Sequence, residues 1–338
     1  QVSILSSGML TAGDSLNLLR SLRKSRMYRA DQHSYMLYPA RIPAGFLAKN
    51  QVDAALVDEI PLASKLIEAG NGSLIACDAN GVCHFNGRIR NAKDVKSILF
   101  QLASSGWAEL VEQDGPKILD LFEKVFNHSA FTGRSGSFFA YEGIGSIYWH
   151  MVTKLLLAVQ EVCFRADASS APELTEIYFD IRSGLGYHKP PEVYGAFPTD
   201  PYSHTPAGQG AKQPGMTGQV KEEILTRFGE LGLGVEGGVI SFRPALLRRE
   251  ELTKEPSRFH FFDASGASKV IEIPEGALAF TYCQTPIIYW TEGEAGIHIF
   301  FSDGSSSRVA GSSLDHEASR RLFDRDGTIE RIEVGVKL

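Results

Sequence analysis

The chain has 338 residues, a formal net charge of −6 at pH 7, 43% hydrophobic residues and 22% charged residues. This length allows two domains with separate cores, and the composition is that of an ordinary globular protein. The negative charge argues against a nucleic acid partner, and no apolar run reaches the roughly 18–20 residues of a membrane span. The four cysteines are scattered and suit a reducing compartment, so we expect a cytoplasmic protein without a nucleic acid or membrane partner.

Apolar residues recur at helical spacing through most of the first 235 residues. Asp14 is a good N-cap for the first helix, and Asp114-Gly115-Pro116 is typical of a helix start with proline in the first turn. The predicted helices cover residues 14–28, 53–69, 93–105, 116–128, 144–164 and 217–233, with a β-hairpin at 73–87. These elements indicate a helical, loop-rich lobe over residues 1–235.

The predicted hairpin turns at Asn80-Gly81, a strong signal for a two-residue loop. In that register Cys77 faces His84 rather than Cys83, so the two thiols point to opposite faces of the hairpin. We therefore expect no disulfide between them. No cysteine spacing is typical of a metal site, and no metal is expected.

Two carboxylates before residue 183 are candidates for a functional role. Glu142 lies among glycines and aromatic residues at the start of the buried helix predicted at 144–164, which suits a catalytic position. The alternative is a first-turn carboxylate that the helix dipole favours. Asp180 and Arg182 alternate as on a strand, and we favour a structural ion pair over a functional role for them.

The segment 183–216 is dense in proline, glycine and aromatic residues. Structureless loops longer than about 12–15 residues are usually functional or disordered, and disordered segments are poor in aromatic residues. We therefore expect an ordered, functional loop whose rings stack on sugar faces and whose polar groups bind hydroxyls. Its candidate site residues are Tyr187, Asp200, Tyr202, His204 and Gln213.

The helix predicted at 217–233 is amphipathic, with Thr217 as its N-cap. Its apolar stripe is expected to face the core and its charged residues to face water. From Gly238 the hydrophobic period changes to two, with turn signals between short strands. This pattern predicts an all-β sandwich domain over residues 236–338, and hence an α+β multidomain protein.

Two linked sequences carry a family resemblance: Met-Thr-Gly-Gln-Val at 216–220 and Gly-Val-Ile-Ser-Phe-Arg-Pro at 238–244. Together they resemble the end of the catalytic barrel in the cellobiose phosphorylase family of inverting glycoside phosphorylases. The resemblance implies that residues 1–235 form part of an (α/α) toroid. It also implies that Thr217 and Gly218 line an anion or sugar subsite, with inorganic phosphate as co-substrate and no other cofactor.

The chain departs from that family at two places. Tyr141 stands where the family has a phosphate-binding histidine, and the family's aspartate general acid has no match. Because the chain starts at Gln1, we expect an upstream catalytic segment in a larger protein.

We therefore expect the C-terminal part of a carbohydrate-active enzyme that cleaves glycosidic bonds by phosphorolysis or hydrolysis, with an oligosaccharide as partner. Such cleavage needs a carboxylic acid to protonate the leaving oxygen, and Glu142 and Asp200 are the candidate catalytic residues. The expected substrate contacts are Tyr141, Tyr187, Tyr202, His204, Gln213, Thr217 and Gly218. The alternatives are a non-catalytic carbohydrate-binding or scaffold module and a polysaccharide lyase.

Overall fold

The computed structural model describes residues 1–37, 39, 45–127, 145–197, 202–214, 217–292 and 295–338, without the side chains of 217 and 218. The chain forms two compact units. The first contains residues 1–37 and 147–338, and the second contains residues 38–146, so the second is inserted into the first. No helix within the described ranges is long and apolar enough to cross a membrane.

The helices, in chain order, are α1 Val2–Ser6, α2 Ala12–Lys24, α3 Phe46–Lys49, α4 Ala54–Asp58, α5 Pro61–Glu68, α6 Ala92–Leu102, α7 Ala108–Phe126, α8 Trp149–Arg165, α9 Ala171–Ser183, α10 Pro191–Tyr194, α11 Thr217–Glu230 and α12 His316–Asp324. The strands are β1 Tyr28–Arg29, β2 Ser34–Tyr35, β3 Ile75–Cys77, β4 Cys83–Phe85, β5 Ile147–Tyr148, β6 Tyr202–Thr205, β7 Lys212–Pro214, β8 Leu233–Glu236, β9 Val239–Phe242, β10 Ser257–Phe262, β11 Ser268–Ile273, β12 Ala277–Tyr282, β13 Thr285–Trp290, β14 Gly296–Phe301, β15 Ser306–Val309 and β16 Ile329–Gly335. The α+β class and the strand-rich C-terminal region are confirmed. The predicted boundary between residues 235 and 236 falls inside the first unit, and both it and the toroid arrangement stay predictions.

The second unit has its own hydrophobic core between α5, α6, α7 and the β3–β4 hairpin. Contrary to expectation, Asp114-Gly115-Pro116 lies inside α7 and does not start it. The fully buried Asp114 carboxylate accepts the backbone N–H of Leu62 at 3.0 Å, in the first turn of α5. That N–H has no partner within its own helix, so Asp114 caps α5 from a distant part of the chain.

The β3–β4 hairpin corrects the cysteine prediction. The loop contains Ala79 as well as Asn80 and Gly81, because the Asp78 carboxylate accepts N–H bonds from Asn80 and Val82. This extra loop residue shifts the register by one, and a one-residue shift moves a side chain to the other face. Cys77 therefore pairs with Cys83, and the two form a disulfide.

Two local predictions in the first unit were also wrong. The side chain of Thr11, rather than that of Asp14, caps α2 by accepting the Asp14 N–H at 3.1 Å. Asp180 and Arg182 lie on helix α9 rather than on a strand, so they do not face each other. Asp180 pairs with Arg23 at 2.9 Å, while Arg182 pairs with another carboxylate, that of Glu230.

Helix α11 has the orientation opposite to the predicted one. Its apolar residues Val220, Ile224 and Phe228 are 40%, 51% and 36% exposed, whereas Glu222 and Glu230 are buried. The reason is that the neighbouring helices α8 and α9 present polar groups to α11. Gln160 on α8 donates to the Thr226 carbonyl at 2.7 Å. Glu230 accepts the Tyr178 hydroxyl at 2.7 Å and pairs with Arg182 and Arg227, each at 2.8 Å.

The strand-rich region contains a five-stranded sheet in the order β12-β13-β16-β14-β15, with β13 and β16 parallel. Side chains alternate between its faces. Ile287 and Tyr289 on β13 pack with α12 and β9 on one side, and Ile288 packs with the β10–β11 hairpin on the other. The sheet therefore has a hydrophobic cluster on each face. The Tyr289 hydroxyl also donates to the Leu231 carbonyl just after α11, at 2.6 Å, which ties the sheet to that helix.

Candidate functional site

The segment predicted as a functional loop forms short local elements that pack on the start of α8. Strands β6 and β7 pair with each other, and β6 also pairs with β5, the two residues that precede α8. Trp149 begins α8, is fully buried and donates its indole N–H to the Thr205 hydroxyl at 2.9 Å. Gly195 and Gly210 approach so closely that a side chain on either would strike the other's backbone. The segment is therefore held in place at both of its described parts.

Aromatic and imidazole rings cluster at the β5–β6 pair. Tyr148 stacks on His204 with ring centroids 4.7 Å apart and planes 6° apart. His150, in the first turn of α8, meets the Tyr148 ring edge-on at 5.8 Å. Ser203, beside His204, donates its hydroxyl to the Gln213 side chain at 3.1 Å. The cluster thus offers flat ring faces beside hydroxyl, imidazole and amide groups, the combination that sugar binding needs.

The start of α11 lies next to these rings. His150 is 3.3 Å from the Glu222 carboxylate, and Gln160, nearly three turns further along α8, reaches the Thr226 carbonyl of α11. The two helices therefore run in the same general direction and begin at the same end of the first unit. Gln219, also in the first turns of α11, is 2% exposed and donates to Glu223 at 3.3 Å.

Burial sets the protonation behaviour of the groups around this end of α11. It raises the pKa of the Glu223 carboxyl, and the hydrogen bond from Gln219 opposes this only in part. Burial, followed by the negative charge of Glu223, raises the pKa of the Tyr187 hydroxyl. Burial also raises the pKa of Tyr194 to about 12. Both tyrosines are therefore neutral hydrogen-bonding groups at physiological pH.

The structure brings together part of the predicted site. Tyr202 and His204 lie on β6 and Gln213 lies near the end of β7, next to the rings of β5. Thr217 and Gly218 begin α11, although their side chains are not described. Tyr187 follows α9 and is 44% exposed, and the charge of Glu223 on α11 acts to raise the pKa of its hydroxyl. Tyr141, Glu142 and Asp200 lie outside the described residues.

Sequence reasoning missed four residues of the cluster: Tyr148, His150, Gln219 and Glu222. The first two were read only as part of a buried helix, although an aromatic and a histidine flanking Trp149 at a helix start were a usable signal. Gln219 was read only as part of the helix start, and Glu222 was assigned to the solvent-facing side of α11 by its amphipathic pattern. Within the described ranges, no group of three or more histidine, cysteine or acidic side chains is arranged to hold a metal ion.

A comparison with protein families bears on the second compact unit. Residues 43–129 match the family model described as GH149 phosphorylase insertion domain 2. The match lies within residues 38–146, the unit that the structure shows as an insertion. Residues 43–129 are thus similar to a domain that occurs in glycoside phosphorylases. The closer likeness to cellobiose phosphorylases stays a prediction, and no curated protein matched the chain.

Proposed function

We propose that this chain is part of a glycoside phosphorylase and that the start of α11 forms part of its sugar- and phosphate-binding site. The observation that carries the proposal is the match of residues 43–129 to a phosphorylase insertion domain. Support comes from the ring and hydroxyl cluster of Tyr148, Ser203 and His204 at the starts of α8 and α11.

In the proposed reaction a phosphate oxygen attacks the anomeric carbon of the sugar while the glycosidic carbon–oxygen bond breaks. The leaving oxygen takes a proton from a carboxylic acid, and the products are a sugar 1-phosphate and a shortened acceptor sugar. Glu142 and Asp200 stay the proposed acids within this chain. Thr217 and Gly218 are proposed to bind the anion, because the backbone N–H groups of a helix start suit phosphate.

The test is to incubate the chain with cellobiose, with and without inorganic phosphate, and to follow the products by NMR. We expect the chain to bind cellobiose and phosphate and to turn over little, because the family's general acid has no match in it, and any glucose 1-phosphate should form only when phosphate is present. A rate of glucose release that does not depend on phosphate would indicate a hydrolase. Sugar binding without phosphate binding would favour a carbohydrate-binding module, and an unsaturated product that absorbs in the near ultraviolet would indicate a lyase.

A matched pair of variants checks the location. His204→Gln alters the ring stacked on Tyr148, and His260→Gln alters an exposed histidine on β10. We expect the first to weaken binding of cellobiose and the second to leave it unchanged. Equal effects of the two substitutions would contradict the placement of the site at β6.

A further inference from the structure

Among the residues that the structure describes, three buried polar atoms at the starts of α8 and α11 lack hydrogen bonds. They are Nε2 of His150, Oε1 of Gln219 and Oε2 of Glu222. His150 Nε2 and Glu222 Oε2 are 3.3 Å apart, within ion-pair distance, but make no hydrogen bond to each other. Such buried unsatisfied groups are rare in folded proteins, and each one destabilises the fold. Three of them together therefore need a physical explanation.

Two of the side chains share a helix face, and the third contacts one of them. Gln219 and Glu222 are three residues apart on α11, a spacing that puts them on the same helix face. Both residues are more than nine-tenths buried, and His150 approaches Glu222 from the first turn of α8. The side chain of His150 is 20% exposed, so it forms the edge of the cluster nearest to water. Tyr148 lies beside this edge and supplies a ring.

The chemistry of the open atoms limits what can satisfy them. An amide oxygen and a carboxylate oxygen accept hydrogen bonds only, whereas an imidazole nitrogen either donates or accepts. A matching ligand must therefore donate at two neighbouring points. Adjacent hydroxyls of a pyranose do so, because each hydroxyl both donates and accepts. Inorganic phosphate does not fit, since it offers mainly acceptors and would meet the negative charge of Glu222.

We infer that Gln219, Glu222 and His150 bind a pair of adjacent hydroxyls on the sugar, and that the phosphate binds elsewhere. This inference deepens the proposed function, since it assigns the sugar rather than the anion to this face of α11. Gln219 is a specificity-determining residue here. Its side-chain oxygen gains a hydrogen bond only from a ligand that can donate one, so ligands without such a donor bind much more weakly.

The experiment titrates the chain with cellobiose in the absence of phosphate, and separately with inorganic phosphate alone. Gln219→Met keeps a long, unbranched side chain and removes the open acceptor. Glu222→Gln keeps the shape of the carboxylate and removes its charge. We expect each substitution to weaken cellobiose binding by about tenfold or more, as for the loss of a hydrogen bond to a buried or charged group. Phosphate binding should be unchanged or tighter. Lys221→Gln, exposed on the same turn of the helix, is the matched control and should bind cellobiose as the unsubstituted chain does.

Thermal unfolding without ligand separates binding from folding. Gln219→Met should change the melting temperature little, since it removes a buried acceptor that has no partner but also the long N–H bond to Glu223. The inference is overturned if both variants bind cellobiose as tightly as the unsubstituted chain, which is the result expected if water alone fills the cluster. It is also overturned if phosphate binding rather than sugar binding is lost. If Gln219→Met unfolds, the isosteric Glu222→Gln variant decides. The experiment measures binding and not turnover, so its result can be interpreted even if the chain does not catalyse phosphorolysis.

Discussion

Replacement of Asp114 by alanine tests the long-range cap of α5. The Leu62 N–H is fully buried and lies in the first turn of its helix, so without Asp114 it has no partner. Leaving a buried donor unsatisfied costs about 1–3 kcal/mol. The Lys117 ammonium also binds Asp114 at 2.8 Å, but its side chain is 51% exposed and its loss adds less than about 1 kcal/mol. We therefore expect Asp114→Ala to destabilise the second unit by about 2–3 kcal/mol at pH 7.

The assay is hydrogen exchange of the whole chain, read by mass spectrometry on peptides from α5 and α7. Protection should fall roughly 30- to 150-fold, at about 1.4 kcal/mol for each factor of ten. Asp53→Ala is the matched control, because Asp53 caps α4 by accepting the Ala55 N–H at 3.0 Å from an exposed position. It should cost only about 0.5–1 kcal/mol. Equal losses of protection in the two variants would refute the assignment of Asp114 as a buried cap.

The pH dependence gives an independent check. Burial acts to raise the pKa of Asp114, but the bonds from Lys117 and the Leu62 N–H outweigh it, and the pKa is lowered. A carboxyl with a depressed folded pKa stabilises the fold above its unfolded pKa of about 3.9, and this stabilisation is lost as the pH falls through the folded value. The difference between the unsubstituted chain and Asp114→Ala should therefore shrink in acid. A difference that is constant from pH 7 to pH 3 would contradict this account.

Three further predictions concern an ion-pair cluster, a buried lysine and the disulfide. Glu230→Leu should lower the free energy of unfolding in urea by about 3–5 kcal/mol, because it leaves the charges of Arg182 and Arg227 without their buried partner. Tyr178→Phe removes only the hydroxyl bond to Glu230 and should cost about 1 kcal/mol. A loss below about 1 kcal/mol for Glu230→Leu would contradict a stabilising role for these ion pairs. Burial, with the Arg29 charge, lowers the pKa of Lys189 to about 8. Its unfolded pKa is about 10.4, so the unfolded chain binds more protons between these values and stability should rise from pH 8 to pH 10. In Lys189→Met the melting temperature should rise less between pH 8 and pH 10, and the chain should be more stable at pH 7 by on the order of 1–3 kcal/mol. If the pH dependence of the melting temperature is the same in both proteins, Lys189 is not its cause. The double variant Cys77→Ser with Cys83→Ser should lower the free energy of opening of the β3–β4 hairpin, measured by hydrogen exchange, by about 2 kcal/mol, as expected for a short closed loop. Unchanged exchange would show that the disulfide does not constrain the hairpin.

The sequence was sufficient where hydrophobic period alone decides the outcome. The alternating pattern after Gly238 predicted the strands now seen as β9 to β14 and β16, and the helical spacing predicted α2, α6, α8 and α11. Except for α11, these elements bury apolar residues against apolar neighbours, so their own sequence contains most of the information. The α+β class follows from them.

The sequence was insufficient where a distant residue takes part. The face that α11 buries depends on Gln160 of α8 and Tyr178 of α9, which turn a polar stripe into the better inward face. The role of Asp114 depends on a backbone donor 52 residues earlier in the chain. The hairpin register depends on a side-chain bond from Asp78 that competes with the usual two-residue turn. Each of these interactions is absent from the local pattern.

The same limit affects the candidate site. Tyr202, His204 and Gln213 were selected because their types suit sugars, and the structure places them together on β6 and β7. His150 and Glu222 were not selected, because the helical pattern assigned His150 to a buried helix and Glu222 to a solvent-facing surface. Only the parallel arrangement of α8 and α11 brings these two residues within 3.3 Å.

The orientation of α11 has a practical consequence for engineering the protein. A designer who removes long charged side chains to aid crystallisation would choose Glu222 and Glu230 from the helical pattern, and would disrupt the interior. The positions that tolerate change are Val220, Ile224 and Leu225, which are 40%, 51% and 44% exposed. Lysine or glutamate at these three positions would improve solubility at little cost in packing, because exposed apolar side chains promote self-association. For this helix, the choice of surface positions has to be made from the coordinates.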